Sequence, residues 1–534
     1  VGSGEYEIAV TSVGFAKLTQ EIRVRDESLN LTLTLTKSAS RLDEIVVTAY
    51  GSGRQGSITG SVSSMTSKQL EHSPRASVQD NLQGNVSGVM VSTGSGQPGY
   101  SGNVRIRGIG SINAGNVPLY VVDGVPLYAS DLNGLNTSDV ASISVLKDAS
   151  AATLYGSRAA NGVIIITTKK GVAGKTQFSV SAQTGSNTIT NVQGSTPLNT
   201  NEMLELLKEG WVNSGKAAAD FDAEVKANGV DPNINTDWFD ALIRRGAYQQ
   251  FDLSASGGND KSKFYASASY YNAKAPMLGS DFKRYTTKIN LSNQATSRFS
   301  FSLGLLASAT KSNLVKDEGS NANPVRAYKR YQPWLRIYKD DGSYDLSYSN
   351  NYNPVAFVKE NRLTQDRYNF LGNIGAKLVI INGLTLETQN SVDFQYSENF
   401  DYAKSGIGTA RTNGGIADYG TGKIMNFVST NILRYKKDWG VHGLEAFIGY
   451  EGQKIQSTGV TLTKRNFIPN TYTLNNASVL VDGGSSGTSN TLVGGFSNVS
   501  YNYDGRYFVS GSFRRDGSSR FGEDQKFGNF WSVG

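Results

Sequence analysis

The sequence predicts an antiparallel transmembrane β-barrel, with about half of its strands in this chain, behind a compact α+β domain and the end of a small β-sandwich. Three observations lead to this prediction. Beyond Gly171, apolar and polar residues alternate with period two, short and long connections alternate between the predicted strands, and aromatic residues become frequent. A chain of 534 residues could also form several domains, but β-barrels routinely exceed the usual domain size.

Period-two alternation defines the predicted strands. In one clear example, Tyr285, Thr287, Ile289 and Leu291 alternate with Arg284, Thr286, Lys288 and Asn290. Each such segment has one apolar and one polar face, as expected of a strand that separates lipid from a wet interior. By this periodicity we count about eleven or twelve strands after Gly171.

The connections distinguish a barrel from a soluble β-sandwich or propeller. Two of the short turns are Asn382-Gly383 and Asp504-Gly505, which favour two-residue hairpins. Long connections are predicted at 185–246, 273–282, 311–366, 398–423, 456–490 and 516–525. Strict alternation of short and long is typical of outer-membrane barrels, which have short periplasmic turns and long outward loops. Of the 5 Trp, 27 Tyr and 22 Phe, only 7 precede Gly171, and aromatic residues form girdles at both membrane interfaces.

The two ends of the sequence suggest that the barrel is incomplete. A spanning sheet with open edges would leave backbone groups unsatisfied in lipid, yet the last residues, 530–534, show no apolar and aromatic closing strand. We therefore expect about half of a larger barrel. The first five residues lack the basic and apolar regions of a signal peptide, so we expect a processed or truncated start.

Composition disfavours most enzymes. Cysteine is absent, which excludes disulfides, Cys-ligated zinc, iron–sulfur clusters and thiol nucleophiles. His72 and His442 are the only histidines, which disfavours His-based metal centres and Ser-His-Asp catalysis. We therefore predict no catalytic residue, no metal and no cofactor. The net charge of +7 comes from scattered residues, which indicates a solvated surface rather than nucleic-acid binding.

The first 64 residues combine short strands with a glycine-rich segment. Residues 6–10 and 29–36 alternate like the last strands of a small sandwich. The β-prone segment 42–51 then leads into the Gly- and Ser-rich stretch 51–64. A β-prone peptide on a flexible tether is suited to strand addition at a partner's sheet edge, although an ordinary strand is the other interpretation.

This stretch contains a match to the dinucleotide-binding sequence motif. Gly51-Ser-Gly-Arg-Gln-Gly56 matches G-x-G-x-x-G, and Glu71 follows at a suitable distance. The residues after the glycines form helices poorly, however, and a helix is the required context. We therefore interpret these glycines as part of the tether.

A compact α+β domain is predicted from Ser77 to Gly171. Val78, Leu82 and Val86 share a helical face, and Ser144 to Ala152 is predicted to begin a second helix. Strands are predicted at 104–108 and 163–167, and a hairpin at 118–126 around Asp123-Gly124. Its charged residues suggest either an anion site or, as we prefer, paired charges that hold the domain in a polar lumen; they are Arg105, Arg107, Lys147, Asp148 and Arg158.

Several of these segments resemble one family closely. Residues 42–51, 82–91, 104–114, 118–126 and 144–171, in this order, resemble the SusC/RagA-type TonB-dependent transporters of Bacteroidota, and 503–522 resembles a barrel hairpin of that family. The resemblance implies a plug domain within 52–171, a TonB box segment at 41–51, the end of a carboxypeptidase-regulatory-like β-sandwich domain at 1–40, and at 172–534 the N-terminal half of a barrel of about 22 strands.

The resemblance also implies which residues carry function. The TonB box would be Asp43, Glu44, Ile45, Val46, Val47 and Thr48. The plug motif residues would be Arg105, Arg107, Gly108, Asp123, Gly124, Lys147, Asp148, Tyr155, Gly156 and Arg158. Ligand-binding residues stay unknown: aromatic residues in 328–338, with Trp334, suit either sugar stacking or loop packing.

The implied function is TonB-dependent import of a large nutrient across the outer membrane of a Gram-negative member of the Bacteroidota. The implied partners are the TonB–ExbB–ExbD complex, a SusD-like surface lipoprotein, an oligosaccharide or oligopeptide ligand, and outer-membrane lipid and lipopolysaccharide, but no nucleic acid. A passive porin or surface adhesin is the alternative, and it predicts uptake that a proton uncoupler does not affect. An outer-membrane hydrolase would need a nucleophile with a base, and the sequence has no such spacing.

Overall fold

The computed structural model describes residues 4–10, 18–24, 31, 33–34, 45–48, 51–54, 60–71, 77–92, 95–112, 115–128, 132–148, 153–189, 197–317, 319–348 and 352–534. Two hairpins come first in the chain. The strands β1 (Gly4–Val10) and β2 (Leu18–Val24) pair antiparallel, as do β3 (Ile45–Thr48) and β4 (Gly51–Arg54). The predicted first strand is therefore present, whereas most of the predicted strand 29–36 lies outside the described residues.

A small domain, which we call the inner domain, follows within residues 60–171. Its elements are β5 (Val62–Thr66), α1 (Ser67–Glu71), β6 (Val89–Ser92), β7 (Asn103–Ile106), β8 (Leu119–Val122), β9 (Val125–Pro126), β10 (Val140–Leu146) and β11 (Val163–Thr168). Five strands form a sheet in the order β5-β10-β11-β8-β9, and β6 and β7 form a separate hairpin. Within the sheet only β11 and β8 run parallel. All four residues of β8 are buried, as expected of a strand covered on both faces.

Two predicted helices of the inner domain are not formed in the described residues; residues 149–152 of the second prediction lie outside them. Ser144 belongs to β10, whose Val140, Ile143 and Val145 are fully buried; β-branched residues on a covered sheet outweigh helical spacing here. Residues 78–86 contain only a short 3₁₀ helix, Asp80–Leu82; the backbone becomes extended at Gln83, and the positive φ of Gly84 follows. The predicted hairpin around Asp123-Gly124 and the strand from Val163 are confirmed.

A large antiparallel sheet, which we call the barrel wall, forms the rest of the chain. Its strands are β12 (Gly174–Asn187), β13 (Gly246–Gly258), β14 (Ser262–Lys274), β15 (Asp281–Gln294), β16 (Phe299–Asn313), β17 (Arg362–Ile381), β18 (Leu384–Ala403), β19 (Ile416–Trp439), β20 (His442–Phe467), β21 (Ala477–Tyr503), β22 (Tyr507–Ser518) and β23 (Phe527–Val533). They pair in chain order, so the predicted number of eleven or twelve strands is confirmed. Within the described residues, β12 and β23 each pair along one edge only.

The two faces of the barrel wall differ as the alternation predicted. On β15, Arg284, Thr286 and Lys288 are 1%, 3% and 2% exposed, whereas Tyr285 between them is 49% exposed. The polar residues face the inner domain, and the aromatic and aliphatic residues cover the outside. This arrangement is the one expected of a membrane barrel.

Short and long connections lie at opposite ends of the barrel wall, but two predicted loops are largely strand. More than half of 398–423 belongs to β18 and β19. Much of 456–490 continues as strand, so that β20 and β21 have 26 and 27 residues, well above the roughly 9–11 that span a bilayer. The sequence does not reveal this extension because 483–489 contains only Gly, Ser and Thr, and such residues show no apolar alternation.

Helices occur in the long connections, where none was predicted. They are α2 (Thr200–Asn213), α3 (Phe221–Ala227), α4 (Trp238–Leu242), α5 (Pro324–Arg330) and α6 (Pro354–Glu360). α5 and α6 both begin with proline after a capping asparagine, which is a favourable helix start. Three of these helices, α4, α5 and α6, share a buried core with neighbouring loops, which we call the loop cap; it includes Trp238, Leu242, Ile243, Ala275, Met277, Val315, Ala327, Tyr328 and Val355. In the part of the chain that the structure describes, no helix is long and apolar enough to cross a membrane.

Candidate functional site

The inner domain contacts the polar face of the barrel wall through three clusters of buried polar side chains. The first cluster centres on Glu451 of β20. Its Oε1 lies 2.5 Å from Arg158 Nη2 of the inner domain and 2.9 Å from Arg514 Nη2 of β22. Arg158 also donates to Gln453 at 2.8 Å. The side chains of Glu451 and Arg514 are 1% and 0% exposed, so each buried charge has an opposite charge beside it, as burial requires.

A glycine allows the backbone of the inner domain to approach this cluster. Gly156 has a φ of +63°, and a Cβ there would lie 1.9 Å from Asp516 Oδ2. The next residue, Ser157, donates its backbone N–H to the same oxygen at 3.0 Å. Arg514 completes the contact by donating to Leu154 O at 2.7 Å. The position therefore requires glycine for both its conformation and its space.

The second cluster surrounds the predicted hairpin turn. Asp123 Oδ2 lies 3.0 Å from Lys288 Nζ of β15, and the carboxylate accepts bonds from Thr168 N at 2.9 Å and Thr168 Oγ1 at 2.6 Å. Burial raises the pKa of the Asp123 carboxyl, but the Lys288 ammonium and the Thr168 donors lower it by more, so this pKa lies below its usual range. Gln389 of β18 donates to Asp123 O at 2.9 Å, and its side chain closes over Gly124.

The third cluster lies at β13 and β14. Asp139 accepts hydrogen bonds from Tyr265 at 2.8 Å and from Ser267 at 2.6 Å. Asp252 of β13 in turn accepts a bond from Asn136 at 2.8 Å. Burial raises the pKa of the Asp139 carboxyl, and the nearby Asp252 raises it further, although the two hydroxyl donors oppose this shift.

The charged residues singled out in the sequence divide into two groups. Arg158 reaches the barrel wall, but Arg107 forms an ion pair with Asp148 inside the inner domain. Lys147 also stays within the domain, where it donates to Ser63 Oγ at 2.7 Å. The prediction that all these charges hold the domain in the lumen is therefore wrong for Arg107, Asp148 and Lys147, because their partners lie within the inner domain itself.

Three other motif residues lie within the inner domain. Arg105 stands on β7 opposite Met90, and Gly108 has a φ of +98° in an exposed turn. Tyr155 is 3% exposed beside the first cluster, and burial raises its pKa. Its place is therefore in the packed core.

The barrel residues of the three clusters were not identified from the sequence. They are Asp252, Tyr265, Ser267, Lys288, Gln389, Glu451, Gln453, Arg514 and Asp516. The available signal was a charged residue on the polar face of an alternating strand, as at Lys288. Periodicity gives the face but not the partner, because the partner comes from a distant part of the chain.

The candidate box segment is paired rather than free. Asp43 and Glu44 lie outside the described residues, whereas Ile45–Thr48 forms β3 and pairs with β4. The interpretation of 51–64 as a tether is therefore wrong for Gly51–Arg54, which is a strand, and for its last three residues, 62–64, which begin the strand Val62–Thr66. The four β-prone residues of β3 pair with β4 even though β4 is rich in glycine.

The three clusters join the inner domain to the barrel wall through ion pairs and hydrogen bonds. Among the described residues, no group of three or more His, Asp and Glu side chains could hold a metal ion. A cavity of about 560 Å³ lies between the inner domain and the barrel wall, toward the short turns, and includes Asp123, Lys170, Gly304 and Gln389 in its lining.

The aromatic loop considered for sugar stacking packs on itself. Tyr328 lies edge-on against Phe239 with centroids 5.2 Å apart, and Tyr338 stacks on Tyr344 at 5.2 Å. Tyr328 is 6% exposed within the loop cap. Loop packing therefore accounts for Tyr328, whereas Tyr338 is 43% exposed.

Residues 54–163 match the family described as the TonB-dependent Receptor Plug Domain. The chain is 32% identical to a TonB-dependent receptor of Formosa agariphila over 96% of this chain and 50% of that protein. It is 28% identical to the TonB-dependent receptor SusC of Bacteroides thetaiotaomicron, over 98% of this chain and 53% of SusC. The chain thus spans about half the length of the curated relatives it matches.

A solved structure of the RagAB peptide transporter shares this fold. It aligns with a TM-score of 0.78 and 24% identity, over 89% of this chain and 57% of that chain. The inner domain therefore has the fold of a plug, and the twelve-stranded barrel wall corresponds to about half of such a barrel.

Proposed function

The chain belongs to the TonB-dependent receptor family, with SusC and RagA as the relevant type, and from that premise we propose that it takes part in TonB-dependent import of a large nutrient ligand. TonB-dependent receptors are outer-membrane β-barrel proteins, so we place this chain in the outer membrane of a Gram-negative member of the Bacteroidota. In this proposal, 1–40 ends a carboxypeptidase-regulatory-like domain, 41–51 carries the TonB box, 52–171 is the plug, and 172–534 is the first half of the barrel.

One observation carries the proposal: the inner domain is fixed to the barrel wall by polar contacts, and the candidate box precedes it on the same chain. Glu451, Lys288 and Asp252 each bind an inner-domain residue more than 100 positions away in the sequence. Such contacts close the lumen but can exchange with water when the domain moves. Along the chain, force applied at Ile45–Thr48 reaches β5, the edge strand of the inner domain's sheet, and β3 also lies next to β10 and β11 of that sheet.

The box would act by strand addition. The TonB–ExbB–ExbD complex is the proposed source of force, and TonB would pair with the backbone of the box. Because β4 occupies one edge of β3, TonB must either use the other edge or displace β4. The ligand must favour the arrangement in which the box is available, since it shifts an equilibrium only through differential affinity.

The ligand side would be the end with the long connections. There we propose a SusD-like lipoprotein above the loop cap. We propose an oligosaccharide as the ligand, by resemblance to SusC, and an oligopeptide as the second candidate, because the RagAB structure is that of a peptide transporter. Mass spectrometry of the ligand that co-purifies with the natural complex distinguishes the two.

Deletion of 43–48 tests the proposal. We expect uptake of the co-purifying ligand to fall to the level of uncoupler-treated cells, while the amount of protein in the outer membrane and its ligand binding stay unchanged. Uptake that survives both the deletion and a proton uncoupler would reject active transport and support a passive porin or an adhesin. Thr48→Ser serves as the control, because it keeps the backbone and the hydroxyl group of the box.

A further inference from the structure

One glutamine of the inner domain binds the loop cap through a backbone segment. Gln97 lies between β6 and β7 and is 7% exposed. Its Oε1 accepts a hydrogen bond from Val315 N at 3.0 Å, and its Nε2 donates to Val315 O at 3.4 Å. Its Oε1 also accepts a bond from the Ser280 hydroxyl at 3.3 Å. The amide thus pairs with both polar backbone groups of one residue, as a neighbouring strand would.

On the cap side, the two partners of Gln97 are part of the packed structure. Val315 is 7% exposed and belongs to the same buried core as Trp238 and Tyr328. Ser280 is fully buried in the connection between β14 and β15, where its carbonyl accepts a bond from Arg244. A shift of the cap helices therefore moves the groups that hold Gln97.

On the inner-domain side, the loop around Gln97 is fixed just as closely. A Cβ on Gly99 would lie 2.2 Å from the ring of Phe282, and the φ of Gly99 is +80°. Asn133 donates to Gly99 O at 2.6 Å and accepts from Ser101 Oγ at 2.6 Å. Because β7 begins directly after this loop and packs into the domain core, a displacement of Gln97 reaches the β6–β7 hairpin.

We propose that Gln97 is a positioning residue that couples the loop cap to the β6–β7 hairpin of the plug. This inference rests on the proposed function, in which ligand arrives at the end that carries the loop cap. The glutamine amide presents a donor and an acceptor side by side, one for each backbone group of Val315; a glutamate here would direct an oxygen at Val315 O, and an asparagine would be one methylene too short. A ligand-driven movement of the cap is thereby transmitted to the plug.

Hydrogen exchange in a double-mutant cycle tests the coupling. The full chain is purified in detergent as wild type, Trp238→Ala, Gln97→Met and the double variant. Trp238 is 3% exposed in the cap and does not bind Gln97, so its truncation loosens only the cap. We expect Trp238→Ala to raise exchange at the β6–β7 amides about fivefold, the effect of one net hydrogen bond, but less than about twofold when Gln97 is Met.

Gln389→Met is the matched control, because it removes an amide bond of the same kind from barrel wall to inner domain without touching the cap. In that background the effect of Trp238→Ala should persist. Val355→Ala, a milder change in the same core, replaces Trp238→Ala if the latter unfolds the cap.

Equal rises with and without Gln97, or no rise in the wild type, overturn the coupling. The measurement uses neither ligand nor energy source. Its failure therefore leaves the box-deletion test intact, and uptake without the box would reject the transport proposal alone.

Discussion

Replacement of Lys288 by methionine tests whether buried ion pairs fix the inner domain in the barrel wall. The Lys288 and Asp123 side chains are 2% and 8% exposed, and their charged atoms lie 3.0 Å apart. Methionine keeps most of the lysine stem but removes the ammonium group. The Asp123 carboxylate then stays buried and keeps its two bonds from Thr168.

The expected effect follows from the penalty for an uncompensated buried charge. Loss of one partner of a buried pair costs about 3–5 kcal/mol. Because the two hydrogen bonds from Thr168 still stabilise the carboxylate, we expect the lower value, about 3 kcal/mol, or roughly a 100-fold rise in local opening of the β8–β9 hairpin. Asp123→Asn combined with Lys288→Met removes both charges, and we expect it to recover at least half of that loss.

Native-state hydrogen exchange of the full chain at neutral pH measures this opening at the β8 and β11 amides. Lys311→Met is the matched control: Lys311 is 58% exposed and lies 3.6 Å from Asp366, so its loss should cost no more than about 1 kcal/mol. Equal effects of the two lysine variants, or a double variant worse than either single change, would refute the reasoning.

The same pair has a predictable pH dependence. The pKa of Asp123 is lower in the folded state than in the unfolded chain. The stabilisation is therefore fully present above the ordinary carboxyl pKa and is lost as pH falls through the lowered, folded-state pKa. In Asp123→Asn this part of the acid sensitivity should disappear.

Three further predictions concern other contacts. In thermal melts of the full chain, Gly156→Ala should destabilise the attachment of the inner domain by about 2–4 kcal/mol through overpacking and a strained φ. Gly522→Ala, whose added Cβ would meet no atom within 4 Å, should leave the melting temperature unchanged. Because the pKa of Asp139 is raised, the protection of the β10 amides, corrected for the intrinsic pH dependence of exchange, should rise as pH falls from above that pKa toward the ordinary carboxyl range, and Asp139→Asn should abolish this rise. One of the two variants Val46→Pro and Val47→Pro should abolish uptake, whereas Val46→Thr and Val47→Thr should preserve it. Adjacent backbone N–H groups point to opposite edges of β3, and each proline removes one of them. Uptake in both proline variants would contradict strand addition.

The sequence was sufficient for the parts of the fold that local patterns determine. Alternation on β15 separated Arg284 and Lys288 from Tyr285, and the Asp123-Gly124 pair located a hairpin. It was insufficient at Ser144, where helical spacing coincided with a buried strand whose partners, β5 and β11, lie elsewhere in the chain.

The site was harder to predict than the fold because its contacts join distant residues. Arg158 was recognised as charged, but Glu451 lies 293 positions away, and no local pattern links them. Gln97 carries no charge and sits in a polar loop, so its role depends entirely on Val315, which is 218 positions away. The loop-cap helices were missed for a different reason: they are short, and their stability comes from a shared core rather than from their own sequence.

The chemistry of the clusters suits an interface that must both hold and release. Apolar contacts also join the inner domain to the barrel wall, as where Leu154 packs in one cluster with Phe447 and Phe496. Each Å² buried there contributes about 25 cal/mol, and separation would expose that area to water. Ion pairs such as Arg158–Glu451 gain much less net free energy, because hydration of the separated charges offsets most of their attraction. Yet they are specific, since a misplaced inner domain would leave Glu451 or Lys288 buried without a partner. Buried charge therefore fixes one position of the inner domain at a smaller cost of separation than an entirely apolar contact would have, which is the property that the proposed import requires of its plug.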